Sequence, residues 1–252
     1  MGKLKLSLLL AIITLLIIFI NNNQGRLEST EKINTIEEIL EKELIIEENE
    51  TTTDKNINVQ LKGYYVTTTY TQNDKVITQD YIEYNNRLTP FYKEQLTKNY
   101  NRGLIINPKY LVIHETANTS VGADAFAHYR YWSRDDNAQA STHFVVDSEK
   151  IYQMLELNQS AWHVGDNKGH SDITNVNSIG IEVAVNQDGD FTKARQNAID
   201  LTINIMRELK MDISQLKRHY DASGKYCPTN MLQNPVLWDD FVKQVEKGLK
   251  NN

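Results

Sequence analysis

The stretch Ile179-Gly180-Ile181-Glu182-Val183-Ala184-Val185 decides the fold class. It is a short apolar run rich in β-branched residues, the pattern of a strand buried on both faces. A helical stripe follows it: Ala194, Ala198, Leu201, Ile205 and Leu209 recur at helical spacing, and Thr192 is placed to cap that helix. Upstream, Tyr110-Leu111-Val112-Ile113-His114 repeats the buried-strand pattern and ends in a histidine. Val121, Ala125, Phe126, Tyr129 and Trp132 then mark a helix, and 142–147 with 151–154 form a hairpin around Ser148-Glu149-Lys150. Downstream, Asn234-Pro235 opens a last helix whose core face is Leu237, Phe241, Val245 and Leu249. Strands and helices interleave, so the expected class is α/β, a central mixed sheet flanked by helices, over residues 103–252.

The first hundred residues read differently. Lys3 and Lys5 precede 15 mostly apolar residues from Leu6 to Ile20, so residues 1–25 are expected to be a signal peptide or a short membrane anchor. The basic start favours an N-terminus inside and the rest of the chain outside the cytoplasmic membrane, released or tethered to it. Residues 26–60 read as an acidic linker, with ten acidic residues between Glu28 and Asp54 against Lys32 and Lys42. Ile33, Ile36, Ile39, Leu40 and Leu44 within it have helical spacing, although a solvated tether is the preferred reading. Residues 61–102 form an N-terminal extension, with a hairpin expected over 64–84 around Asn73-Asp74.

The formal net charge of −6 argues against a nucleic-acid partner, which favours a basic surface. Cys227 is the only cysteine, so no internal disulfide can form. A lone thiol in an exported protein is a buried apolar residue, a metal ligand or a nucleophile. Its neighbourhood bears on the choice. His219 lies eight positions before Cys227, with Gly224 between them to turn the chain and Lys225 close by. A loop of that length can bring both side chains onto one ion. A catalytic zinc site takes three protein ligands and an open position, and His114 at the end of its strand is the natural third. Two imidazoles and a thiolate suit borderline-soft Zn²⁺ better than Mg²⁺ or Ca²⁺.

Five segments occur in a telling order: Val112-Ile113-His114-Glu115-Thr116, Ser141-Thr142-His143-Phe144-Val145-Val146-Asp147, Ala161-Trp162-His163-Val164-Gly165-Asp166, Ile179-Gly180-Ile181-Glu182, and His219 through Pro228. Together they resemble the zinc-dependent N-acetylmuramoyl-L-alanine amidases, which are similar in fold to peptidoglycan recognition proteins and phage amidase lysozymes. The resemblance covers residues 103–250 and none of the first hundred. It implies that His114, His219 and Cys227 hold one Zn²⁺ per chain and that Glu182 and Lys225 complete the site. It further implies a peptidoglycan substrate, cut at the amide between N-acetylmuramic acid and L-alanine. In that chemistry Glu182 moves the proton from water to the departing nitrogen, and Lys225 faces the oxyanion.

Plainer readings stand beside these. Glu182 could pair with a surface cation, although a carboxylate in an apolar run rarely lacks a partner or a task. A lysine in a polar loop such as Lys225 is usually just solvated. His163 contacts substrate or orients another group, with structural and functional readings evenly matched. Trp162 is a candidate substrate contact but fits a core aromatic better. His143 fits packing or support of another residue, and His128 and His170 read as surface histidines. Two rivals remain: a cysteine hydrolase with Cys227 as nucleophile and His219 as base, and a non-catalytic peptidoglycan-binding module. The chain is expected to act as a monomer.

Overall fold

The computed structural model describes residues 58–165 and 170–251. The expected leader, the acidic linker up to residue 57 and its candidate helix lie outside the described residues. Among the described residues, no helix is long and apolar enough to cross a membrane.

The chain runs through strands β1 (Asn58–Lys62), β2 (Tyr65–Gln72), β3 (Lys75–Tyr84), β4 (Arg87–Lys93), β5 (Asn101–Ile105) and β6 (Tyr110–Glu115). Helix α1 (Ala125–Arg134), strands β7 (Phe144–Val146), β8 (Ile151–Gln153), β9 (Gln159–Ser160) and β10 (Ser178–Val183), and helix α2 (Phe191–Glu208) follow. Strand β11 (Leu216–Arg218) and helices α3 (His219–Ser223), α4 (Thr229–Gln233) and α5 (Pro235–Lys250) complete it. Among the described residues, nine strands form one mixed sheet in the order β1-β2-β3-β4-β8-β7-β10-β6-β11, while β5 and β9 pair separately. The mixed sheet flanked by helices is the class expected from the sequence.

Strand β10 is parallel to both β7 and β6, and β11 is parallel to β6. These central strands are buried on both faces, which is why their sequences are continuous apolar runs rather than alternations. On one face Phe144, Val146, Ile151, Ile181 and Val183 pack with Ala198, Leu201 and Ile205 of α2 and Phe241 of α5. On the other, Val145 and Tyr152 pack with Ala125 and Trp132 of α1. The cap of α2 differs from expectation. Helix α2 begins at Phe191, and Asp190 in extended backbone caps it, its carboxylate accepting from Lys193 N–H at 3.1 Å. Thr192 therefore sits inside the first turn, since the carboxylate three residues before Lys193 has the reach a cap requires.

Strands β1 to β4 form an antiparallel meander that joins the central sheet through parallel pairing of β4 with β8. The expected hairpin is β2–β3. Both of its turn residues, Asn73 and Asp74, have positive φ, as do Asn85 and Asn86 between β3 and β4. Two-residue loops of this kind match the twist of the strands they join, and Asn and Asp tolerate the left-handed backbone. Arg87 fastens the second turn to α2, with Nε and Nη2 donating to the Asp200 carboxylate at 2.9 and 2.5 Å. Asp200 is buried, whereas Arg87 is about half exposed. Removing Arg87 strips a buried carboxylate of its cation. Arg87→Ala should therefore cost about 3 kcal/mol, the lower end for a broken buried pair, measured by urea unfolding of the full chain. A loss well under 1 kcal/mol would show that Gln196, which also donates to Asp200, meets the carboxylate by itself.

Candidate active site

Register brings the site together. Parallel pairing sets Glu182 on β10 directly beside His114 on β6. On the other side of β6, Arg218 of β11 pairs with Ile113, so the next residue, His219, emerges beside His114. Three neighbouring strands thus deliver a carboxylate and two imidazoles at their carboxyl ends, where open parallel sheets characteristically bind ligands. The chain then makes the short helix α3, turns at Gly224 with φ of 77°, and comes back. Tyr220 N–H donates to Cys227 O at 2.8 Å, closing the loop that returns the thiol to the histidines.

One donor atom from each of His114, His219 and Cys227 lies within 4.8 Å of the others, and all three residues are buried. His114 Nδ1 and His219 Nδ1 face each other at 2.9 Å. The Cys227 Sγ accepts the Glu115 backbone N–H at 3.4 Å. Burial drives His114 well below the ordinary imidazole range, with His219 and His163 adding to the effect, so its ring is neutral. Burial and the nearby Glu182 push the Cys227 thiol up to about 12, despite Lys225 close by. Two neutral imidazoles and a buried thiol fit a borderline-soft divalent cation, whose charge would offset the thiolate's.

Glu182 is half-buried, yet its Oε2 is shut off from solvent and has no hydrogen-bond partner among the described residues. Burial pushes this carboxyl up to about 8, against the pull of Lys225. Both groups line a pocket of about 500 Å³ that also receives His219, Cys227 and His163. Its opposite wall is α1, through His128, Tyr131 and Trp132.

The profile of the N-acetylmuramoyl-L-alanine amidase family matches residues 106–230, a span that contains every one of these groups. The chain is 44% identical over 150 residues to the amidase XlyA of Bacillus subtilis, covering 60% of this chain and 48% of that protein. It is 39% identical over 151 residues to CwlH of the same organism, covering 60% and 58% respectively. The solved catalytic domain of XlyA superposes with a TM-score of 0.56 at 39% identity, covering 62% of this chain and 98% of that domain. The chain belongs to the N-acetylmuramoyl-L-alanine amidase family. The PlyG catalytic domain is a further relative, with a TM-score of 0.55 at 28% identity over 64% of this chain and 95% of that domain. This chain spans about half the length of the curated relatives named, and strands β1 to β5 fall outside the family match.

Other histidines and aromatics read from the sequence are placed as follows. His163 is buried, with Nδ1 at 3.0 Å from His114 Nε2. Trp162 is half-buried at the pocket wall, its Nε1–H donating to Asn101 at 2.9 Å. His143 is fully buried and immediately precedes β7; its Nδ1 accepts Gly180 N–H at 3.1 Å, and its Nε2 donates to Gln159 O at 2.8 Å. His170 is exposed, as expected. His128 is not a surface residue. It is 8% exposed, packs against Trp132 and faces the pocket, because α1 turns its His128 side inward over the sheet.

Glu115 is a site residue that spacing did not reveal. It is buried, and its carboxylate accepts the backbone N–H groups of Asn230 at 2.7 Å and Met231 at 3.2 Å. It thereby anchors the segment that follows Cys227, while its own N–H reaches the thiol. The available signal was an acid closing an apolar strand, the same clue that singled out Glu182. Glu115→Ala should cost about 2 kcal/mol, as charged hydrogen bonds do, and should speed alkylation of Cys227 in the native protein. An unchanged alkylation rate would show that other contacts hold this segment.

Proposed function

We propose that this protein is a zinc-dependent amidase that hydrolyses the bond between N-acetylmuramic acid and L-alanine in peptidoglycan. It acts outside the cytoplasmic membrane, the first 25 residues serving as export signal or anchor. The observation that carries the reading is the convergence of the His114, His219 and Cys227 donor atoms at a pocket that Glu182 also lines, its buried Oε2 without a hydrogen-bond partner among the described residues. Family membership supports the substrate class.

The residues divide the work. His114, His219 and Cys227 would hold the ion. When bound, zinc supplies Lewis acidity to the scissile carbonyl and to the attacking water. Glu182 takes a proton from that water and returns it to the departing nitrogen, since an amide anion is a very poor leaving group. A carboxyl raised to about 8 by burial suits both directions of transfer near neutral pH. Lys225 stands at the pocket to face negative charge growing on the carbonyl oxygen. Tyr131, Trp132 and Trp162 offer ring faces along the same pocket for the sugar and stem peptide.

Two rivals predict different outcomes. A nucleophilic Cys227 needs a depressed thiol pKa, whereas burial raises it here. A non-catalytic wall-binding module has no use for a buried carboxylate poised beside the metal ligands. The test pairs elemental analysis of zinc with the release of L-alanine N-termini from purified cell walls. One zinc per chain and N-termini lost on chelation, then restored by zinc, are expected. Glu182→Gln should keep its zinc and lower turnover by about 10²–10⁴-fold. Lys225→Ala should lower it by about 10²–10³-fold. Activity that survives chelation would sink the metal reading in favour of Cys227, and zinc without new N-termini would favour the binding module.

A further inference from the structure

The atoms behind His114 form a chain whose proton positions follow from its far end. Ser178 Oγ donates to the Thr174 carbonyl at 2.6 Å, an oxygen that can only accept. With its single proton committed there, Ser178 Oγ can only accept from His163 Nε2, 3.1 Å away. The Ser178 carbonyl, at 3.4 Å from the same nitrogen, is likewise acceptor-only. His163 must therefore carry its proton on Nε2. A neutral imidazole carries one N–H, so with that proton on Nε2 its Nδ1 is an acceptor. Its partner at 3.0 Å is His114 Nε2, which must then be the donor. A neutral His114 protonated on Nε2 has its lone pair on Nδ1, the atom turned toward His219.

We propose that His163 is a positioning residue that fixes the tautomer and ring orientation of His114 for zinc. This rests on the metal reading above and gives His163 a task other than contact with substrate. Ring nitrogens of metal-binding histidines commonly depend on such a partner. The packing around His163 is consistent with that task. Asn175 Oδ1 accepts the backbone N–H groups of His163 at 3.0 Å and Val164 at 2.8 Å, holding the loop. His143 packs edge-on against the ring with centroids 5.8 Å apart. Strand β10 leaves the space for it: a Cβ on Gly180 would stand 2.7 Å from His163 Nδ1 and 2.7 Å from Thr142 Oγ1. This accounts for a glycine inside an otherwise β-branched buried strand.

The test is the zinc affinity of the full chain, measured by competition with a chromogenic chelator at fixed pH. His163→Leu keeps much of the ring's bulk and removes the acceptor. His163→Asn places an amide oxygen close to the position of Nδ1. The leucine variant should bind zinc about 10–100-fold more weakly, and the asparagine variant should recover most of that loss. Metal-free thermal midpoints of the two variants should agree, so that the affinity difference reports the hydrogen bond and not the fold. Wild-type affinity in His163→Leu would overturn the proposal, as would equal losses in the two variants. A wild-type chain that takes up no zinc would overturn the metal reading itself, and that is seen before any variant is made.

Discussion

The site depends on the parallel register of three adjacent strands. With Glu182 paired to His114 across β10 and β6, and β11 running alongside so that His219 follows Arg218 at the strand end, the groups share one row on one face of the sheet. A slip of one residue in any of these strands would turn its functional side chain to the opposite face, into the packing with α2 and α5. The apolar neighbours Ile113, Ile181 and Val183, buried on that opposite face, make such a slip costly. The core that stabilises the sheet is thus also what aims the site.

Around that row, several polar groups hold neighbouring segments together. Glu115 ties β6 to the segment after Cys227, His143 accepts a strand amide, and Asn175 holds the His163 loop. Buried polar groups of this kind are costly unless satisfied, and these are satisfied. Glu182 Oε2 is the exception that bears on chemistry, a buried acceptor without a partner among the described residues, beside three convergent donor atoms. The same burial that leaves it alone raises its proton affinity, so one physical cause sets both its availability and its range of action.

The N-terminal meander enlarges the sheet beyond the span shared with the family. Register carries the site's face outward from Glu182 through Val145, Tyr152 and Tyr92 to Tyr81 and Tyr70. Tyr92 and Tyr129 both stack on Tyr152, next to the helix that walls the pocket. The extension is therefore continuous with the sheet that carries the site and is fastened from the other face by Arg87 on Asp200.

The sequence by itself determined the α/β class, the strands that hold His114 and Glu182, the hairpins, and the residues grouped in the amidase pattern. Those features are local: apolar periodicity, turn residues with left-handed backbone, and ligand types close together in the chain. Tertiary structure alone decided which strands are neighbours, and therefore that Glu182 stands beside His114 across 68 positions of chain. It also decided that His128 faces inward, that Glu115 anchors the Cys227 segment and that His163 backs His114. None of these could be read from spacing, because each depends on an atom brought near by packing rather than by sequence. Hydrogen-bond direction and burial exist only once the chain has closed on itself.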